Sequence, residues 1–157
     1  MYDEVLSKPK GTRSNPENYL PATYIAEKLS MFDSGIVRIV KRSGYDEGKL
    51  YSGDEGFAMP ESEFNRLKAK EGGSFKGVAA RLDLGVTAKA DDYFITRLDR
   101  SQVTDLRLAT GDENPQFVEY GANLYWLPGA KTKSGTVEAV FKVSQNIDLT
   151  ILKLPLP

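Results

Sequence analysis

Apolar residues recur at a helical period over Pro21–Phe32: Ala22, Ile25, Ala26 and Leu29 stand at i, i+3, i+4 and i+7 and share one face. Pro21 suits a helix start, where its missing N–H costs nothing, and Ser34-Gly35 ends the segment. Gly35–Lys41 then changes grammar. Ile36, Val37, Ile39 and Val40 are β-branched, which predicts a strand with Arg38 at its centre. A Gly-rich polar loop, Ser43–Gly56, leads to a short strand, Gly56–Met59, and to a second helix, Pro60–Glu71. That helix has Glu61 and Glu63 in its first turn, Lys68 and Lys70 in its last, and Gly72-Gly73 to stop it. Phe64 and Leu67 make its buried stripe. Residues 74–84 read as a further short helix with Phe75, Val78 and Leu82 inward. From there strand patterns dominate, over Tyr93–Leu98, Thr104–Ala109, Asn123–Leu127, Thr136–Val143 and Ile147–Leu154. N-terminal helices followed by strands predict an α+β fold with a mostly antiparallel or mixed sheet.

Residues 1–18 carry Pro9, Gly11, Ser14 and Pro16 among balanced charges and show no period, so they read as a flexible junction to a longer upstream protein. Residues 19–157 then read as a single domain, and the apolar strand at the end predicts that the domain closes with it. No stretch approaches the ~20 apolar residues of a membrane span, and the N-terminus lacks a signal-peptide core.

Composition narrows the chemistry. The 157 residues include no histidine and no cysteine. That removes disulfides, thiolate zinc sites, Cys nucleophiles, Ser-His-Asp triads and His-based nucleases. With 21 basic and 22 acidic residues the net charge is −1, so the surface as a whole does not attract nucleic acid, although a local basic patch still can. Any chemistry runs on Arg, Lys, Asp, Glu, Tyr, Ser or Thr.

Arg38 is either an edge-strand arginine reaching solvent or a guanidinium offered to a phosphate or carboxylate. Gly56–Ser62 is a strand end turning into a helix start; Ser62 either solvates the first turn or joins its N–H groups in holding an anion. The densest stretch, Glu119–Val140, holds the only Trp, two Tyr and a Pro-Gly turn. Trp126 is a core residue or part of a stacking platform. Alternation places Val137, Ala139 and Phe141 on one face and Glu138 on the other, where it meets solvent or lines a cleft. Lys131 and Lys133, beside this strand, add positive charge that suits phosphates or RNA, and Lys41, Arg42, Arg97 and Arg100 extend it. The acidic pairs Asp46-Glu47 and Asp54-Glu55 lack a calcium-loop register, and no metal is expected.

The run Tyr24–Leu29, then Phe32–Gly35, then Gly56–Pro60, and above all Gly121-Ala-Asn-x-x-Trp-x-Pro-Gly-x-x-Thr-x-x-Gly-x-x-Glu-Ala-Val140, resembles the C-terminal toxin domains of bacterial polymorphic toxins. These are the variable tips of contact-dependent inhibition and Rhs-type proteins. The resemblance spans roughly residues 20–143 and implies a domain secreted or displayed on a larger delivery protein. It implies entry into the cytoplasm of a neighbouring cell and neutralisation by a cognate immunity protein, acidic where it meets Lys131, Lys133 and Arg38. The layout is similar to that of ADP-ribosyltransferases and NAD glycohydrolases, in which an Arg, a Ser or Thr and a late Glu follow in this order. Arg38 would then hold the phosphates of NAD as substrate, with Ser62 and Glu138 completing the catalytic set. Tyr125, Trp126, Lys131 and Thr132 would contact the substrate, and Glu138 would stabilise the oxocarbenium-like state. The sequence departs from that pattern: it has no Ser-Thr-Ser triplet and no Glu-x-Glu or Gln-x-Glu pair near Glu138. The alternatives are a ribonuclease cleaving tRNA or rRNA through a Lys/Arg/Glu set, and a non-catalytic binding module.

Overall fold

The β-branched run after Gly35 becomes an inner strand of a six-stranded sheet, because both of its faces are covered. The structure, a computed structural model, describes residues 2–9, 11–41, 56–81, 90–112, 126–127, 131–132, 136–143 and 150–152. Its helices are α1 (Tyr2–Ser7), α2 (Ala22–Ser30), α3 (Glu61–Lys70) and α4 (Phe75–Arg81). Its strands are β1 (Ile36–Lys41), β2 (Gly56–Pro60), β3 (Tyr93–Leu98), β4 (Val103–Leu108), β5 (Trp126–Leu127), β6 (Lys131–Thr132), β7 (Ala139–Val143) and β8 (Thr150–Leu152). The main sheet runs β4-β7-β2-β1-β3-β8, and β5 and β6 form a separate pair. Every pairing among the described residues is antiparallel. The class is therefore α+β with its first helices N-terminal to the sheet. The central strands β1 and β2 nevertheless precede α3 and α4 in the chain.

Register sorts the core into two layers. Val37 pairs with Met59, and Phe57 with Val140, so these share one face. Over the β1–β3 part of that face lie α3 and α4, where Phe64, Leu67, Phe75, Val78 and Ala79 pack on Val37, Met59 and Ile95. Ile36 pairs with Leu98, and Ala58 with Ala139, on the other face. There Phe32, in a 3-10 turn after α2, is fully buried among Ile36, Ala58, Leu98, Ala139 and Phe141.

The local grammar of α3 is as the sequence implies, with one refinement. Pro60, in extended conformation at φ −61°, caps the helix from outside it. Gly72 and Gly73 take φ +60° and +80°, which lets the Gly73 N–H reach the Lys68 carbonyl at 2.8 Å and stop the helix. Glu63 on the inner side is buried but paired: its carboxylate accepts from Arg66 at 2.6 and 3.1 Å.

Two expectations are corrected. Of the stripe on α2, Ala22 and Ala26 are exposed. Contact with Leu20 and Leu108 is made instead by Tyr24, Ile25 and Leu29, because this short helix leans on the sheet's rim with its long side chains. Residues 2–18 also differ from the expected loose junction. Val5 is buried against Ala109 and Val140, Pro16 is buried at the start of a 3-10 turn, and Leu20 is buried next to it. One buried residue in a six-residue helix leaves no periodic trace.

On β4 the register slips between Thr104 and Arg107, giving that strand one more residue than β7 opposite. Asp105 sits in this bulge with φ +52°.

Candidate functional site

Arg38 stands opposite Thr96 on the face shared with Ile36 and Phe141. Of the β2 positions on this face, Pro60 stands opposite Ile36, while Ala58 and Gly56 are small or lack a side chain. The long Arg38 stem crosses that shallow strip, and its guanidinium carbon lies 5.9 Å from the centre of the Phe141 ring. Thr96, fully buried, donates its hydroxyl to the Arg38 carbonyl at 3.0 Å and pins the backbone beneath. Arg38 itself is half-buried. A planar cation held over an apolar floor meets an anion with less screening than it would in water, which is the property a phosphate or carboxylate subsite requires.

Glu138 falls elsewhere. It lies between Val137 and Ala139, both members of the Phe32 cluster, so the pleat assigns it to the opposite face, that of Val140. The pairing of Ala139 with Ala58 sets Glu138 near the Met59–Pro60 end of β2, from which α3 departs. Ser62 is an exposed residue of the first turn of α3, and the helix is capped by Pro60 with no side-chain cap bond. The three expected catalytic residues are thus divided: Arg38 on one face, Glu138 and Ser62 toward the other. Trp126 and Thr132 are paired across β5 and β6, as are Leu127 and Lys131, in a sheet of their own. Tyr125 lies outside the described residues.

Arg97, read from the sequence only as added positive charge, is the centre of a structural knot. Its guanidinium donates to Asp99 at 2.7 Å, to Glu61 at 2.9 Å and to the Ser34 carbonyl at 3.1 Å. Its hydrogen bond to Asp99, then that to Glu61, raises Arg97 above its ordinary pKa. The Glu61 N–H in turn donates to the Gly35 carbonyl at 2.9 Å. Gly35 has φ +144°, and a Cβ there would strike the Glu61 carboxylate and the Arg97 guanidinium. Asp99 also opens a reciprocal cap with Gln102, whose side chain accepts from the Asp99 N–H at 2.8 Å. Arg97 is therefore neutralised locally and joins the start of β1, the start of α3 and the end of β3. The glycine before the strand was the visible signal; its partners, distant in sequence, were not.

Among the described residues, no helix is long and apolar enough to cross a membrane. Comparison of the chain with protein-family models, curated proteins and solved structures finds no match in any of the three.

Proposed function

We propose that this chain is the effector domain of an interbacterial toxin and that it acts on a phosphate-bearing substrate, NAD in the first reading, with Arg38 as the anion-holding group. The toxin class rests on the resemblance of residues 120–140 and on the order Arg38, Ser62, Glu138. The single observation that supports the substrate class is the half-buried Arg38 guanidinium over Phe141, on a strand whose other side chains are aliphatic up to Lys41. Glu138 remains the candidate carboxylate, because without His or Cys a carboxylate is the natural group to stabilise a cationic transition state or to take a proton.

A ribonuclease is the second reading, and one observation favours it. Arg38 and Glu138 belong to different faces of the sheet. A polynucleotide is held by several separate phosphate contacts and does not require one pocket that joins both groups.

The test incubates purified protein with NAD and, separately, with total RNA. Loss of NAD that falls at least ~10²-fold in Glu138→Gln supports the first reading, by the usual size of a lost transition-state contact. Intact NAD with discrete RNA fragments moves the assignment to the ribonuclease. If neither substrate changes and expression leaves growth unaffected, the domain is a binding module. In cells, a small immunity protein with an acidic face toward Lys131, Lys133 and Arg38 is expected to relieve toxicity.

A further inference from the structure

Val5 of α1 lies against the sheet face to which the pleat assigns Glu138, and residues 2–9 and 11–13 are held, among the described residues, at two points. The first is apolar: Val5 packs on Ala109 and Val140. Val140 stands two residues beyond Glu138 on the same face, about 7 Å along the strand. The second is a polar clasp. Asp112 accepts the Gly11 N–H at 2.7 Å with one carboxylate oxygen and the Arg13 N–H at 3.0 Å with the other. The Arg13 guanidinium donates to the Gly111 carbonyl at 2.8 Å. Just beyond the segment, Ser14 Oγ accepts from Lys8 Nζ at 2.8 Å.

The rest of the segment is lightly held. On α1, Asp3, Glu4, Leu6 and Ser7 are exposed. A helix of six residues has no stability of its own in water, so its place depends on Val5 and the clasp. Segments with few buried apolar contacts open well below the cost of global unfolding. The clasp is also concentrated in one side chain, since a single carboxylate fixes two backbone N–H groups.

We propose that residues 2–9 and 11–13 are a releasable strap, locked by Asp112, over the Glu138 side of the sheet, and that opening it admits substrate to Glu138. The proposal rests on Glu138 being the working carboxylate. With the strap closed, the Val140 end of this face is occupied by Val5. With the clasp broken, α1 loses its anchor and the face next to Glu138 opens, while the β1–β3 core under α3 and α4 is untouched.

The test compares the full chain with Asp112→Ala, reading amide exchange by mass spectrometry and turnover of NAD and of RNA. Loss of two hydrogen bonds to a charged group is expected to speed exchange over residues 2–9 by roughly tenfold or more, with β1 and β3 unchanged. Turnover is expected to rise with it. A second variant is designed to close the strap: Val5→Cys with Ala109→Cys, in a chain that has no other cysteine, is oxidised and the single disulfide is verified by thiol titration before turnover is read. The oxidised form is expected to lose activity and the reduced form to regain it. Exchange that rises in the strap only together with β1 and β3 overturns the proposal. So does a loosened strap with unmoved turnover, or a disulfide-locked strap with full turnover. Glu138→Gln separates the two possible failures. If it abolishes turnover while Asp112→Ala leaves turnover unmoved, the strap alone is wrong. If it keeps full turnover, the site reading is wrong and the strap has no carboxylate to cover.

Discussion

Gly35 has little freedom to change. Its φ of +144° disfavours a side chain, and the space a Cβ would need is taken by Glu61 and Arg97. Gly35→Ala is expected to cost about 2–4 kcal/mol in urea unfolding, because it adds backbone strain to the loss of a partly buried ion pair. Arg97→Lys keeps the charge but not the planar fork that serves Asp99, Glu61 and the Ser34 carbonyl together. A loss of about 1–2 kcal/mol is expected by the same measurement. The sign of the pH effect follows from the raised pKa. Arg97 contributes stability that is complete below its unfolded value and is lost only as pH rises through the still higher folded value. A titration of stability between about pH 6 and 9 is therefore expected to show no slope from Arg97. Arg38 was legible at this scale, since a cation inside an aliphatic run stands out. The part played by Gly35 was not, because Glu61 and Arg97 reach it only through the fold.

The helix α3 shows how much an element can announce. Pro60, the acidic first turn, the basic last turn and the double glycine mark its ends, and Phe64 and Leu67 mark its inner side. Both side chains are 2% exposed. Phe64→Ala is expected to destabilise by about 3–5 kcal/mol in denaturant titration, with exposed Asn65→Ala near zero as the control. Elsewhere the pattern carried less. In α2 the short alanines fit the period yet face solvent, because period reports which residues align and not how far each must reach. The N-terminal segment gave no signal, since its attachments among the described residues are isolated buried side chains such as Val5 and Pro16 and a clasp made largely through backbone N–H groups.

For the whole molecule, the class follows from the order of patterns, but the strand order does not. Placing β7 between β4 and β2 depends on contacts between segments far apart in the chain, and that order decides which face Arg38 and Glu138 occupy. The candidate residues could thus be named from the sequence while their division between two faces could not. The bulge on β4 has its own consequence at this scale. Among the described residues β4 closes one end of the sheet, and an outer strand with a regular ladder is a template on which a second copy can add its own strand. The slip at Asp105 interrupts that ladder, and the exposed carboxylate, 3.8 Å from Lys142, puts charge on it. Asp is one of the few residues that accept φ +52° at low cost, whereas a β-branched residue resists it and favours a straightened strand. Asp105→Val is therefore expected to leave the fold in place but to turn this edge adhesive, with more concentration-dependent oligomer in light scattering than the parent chain gives.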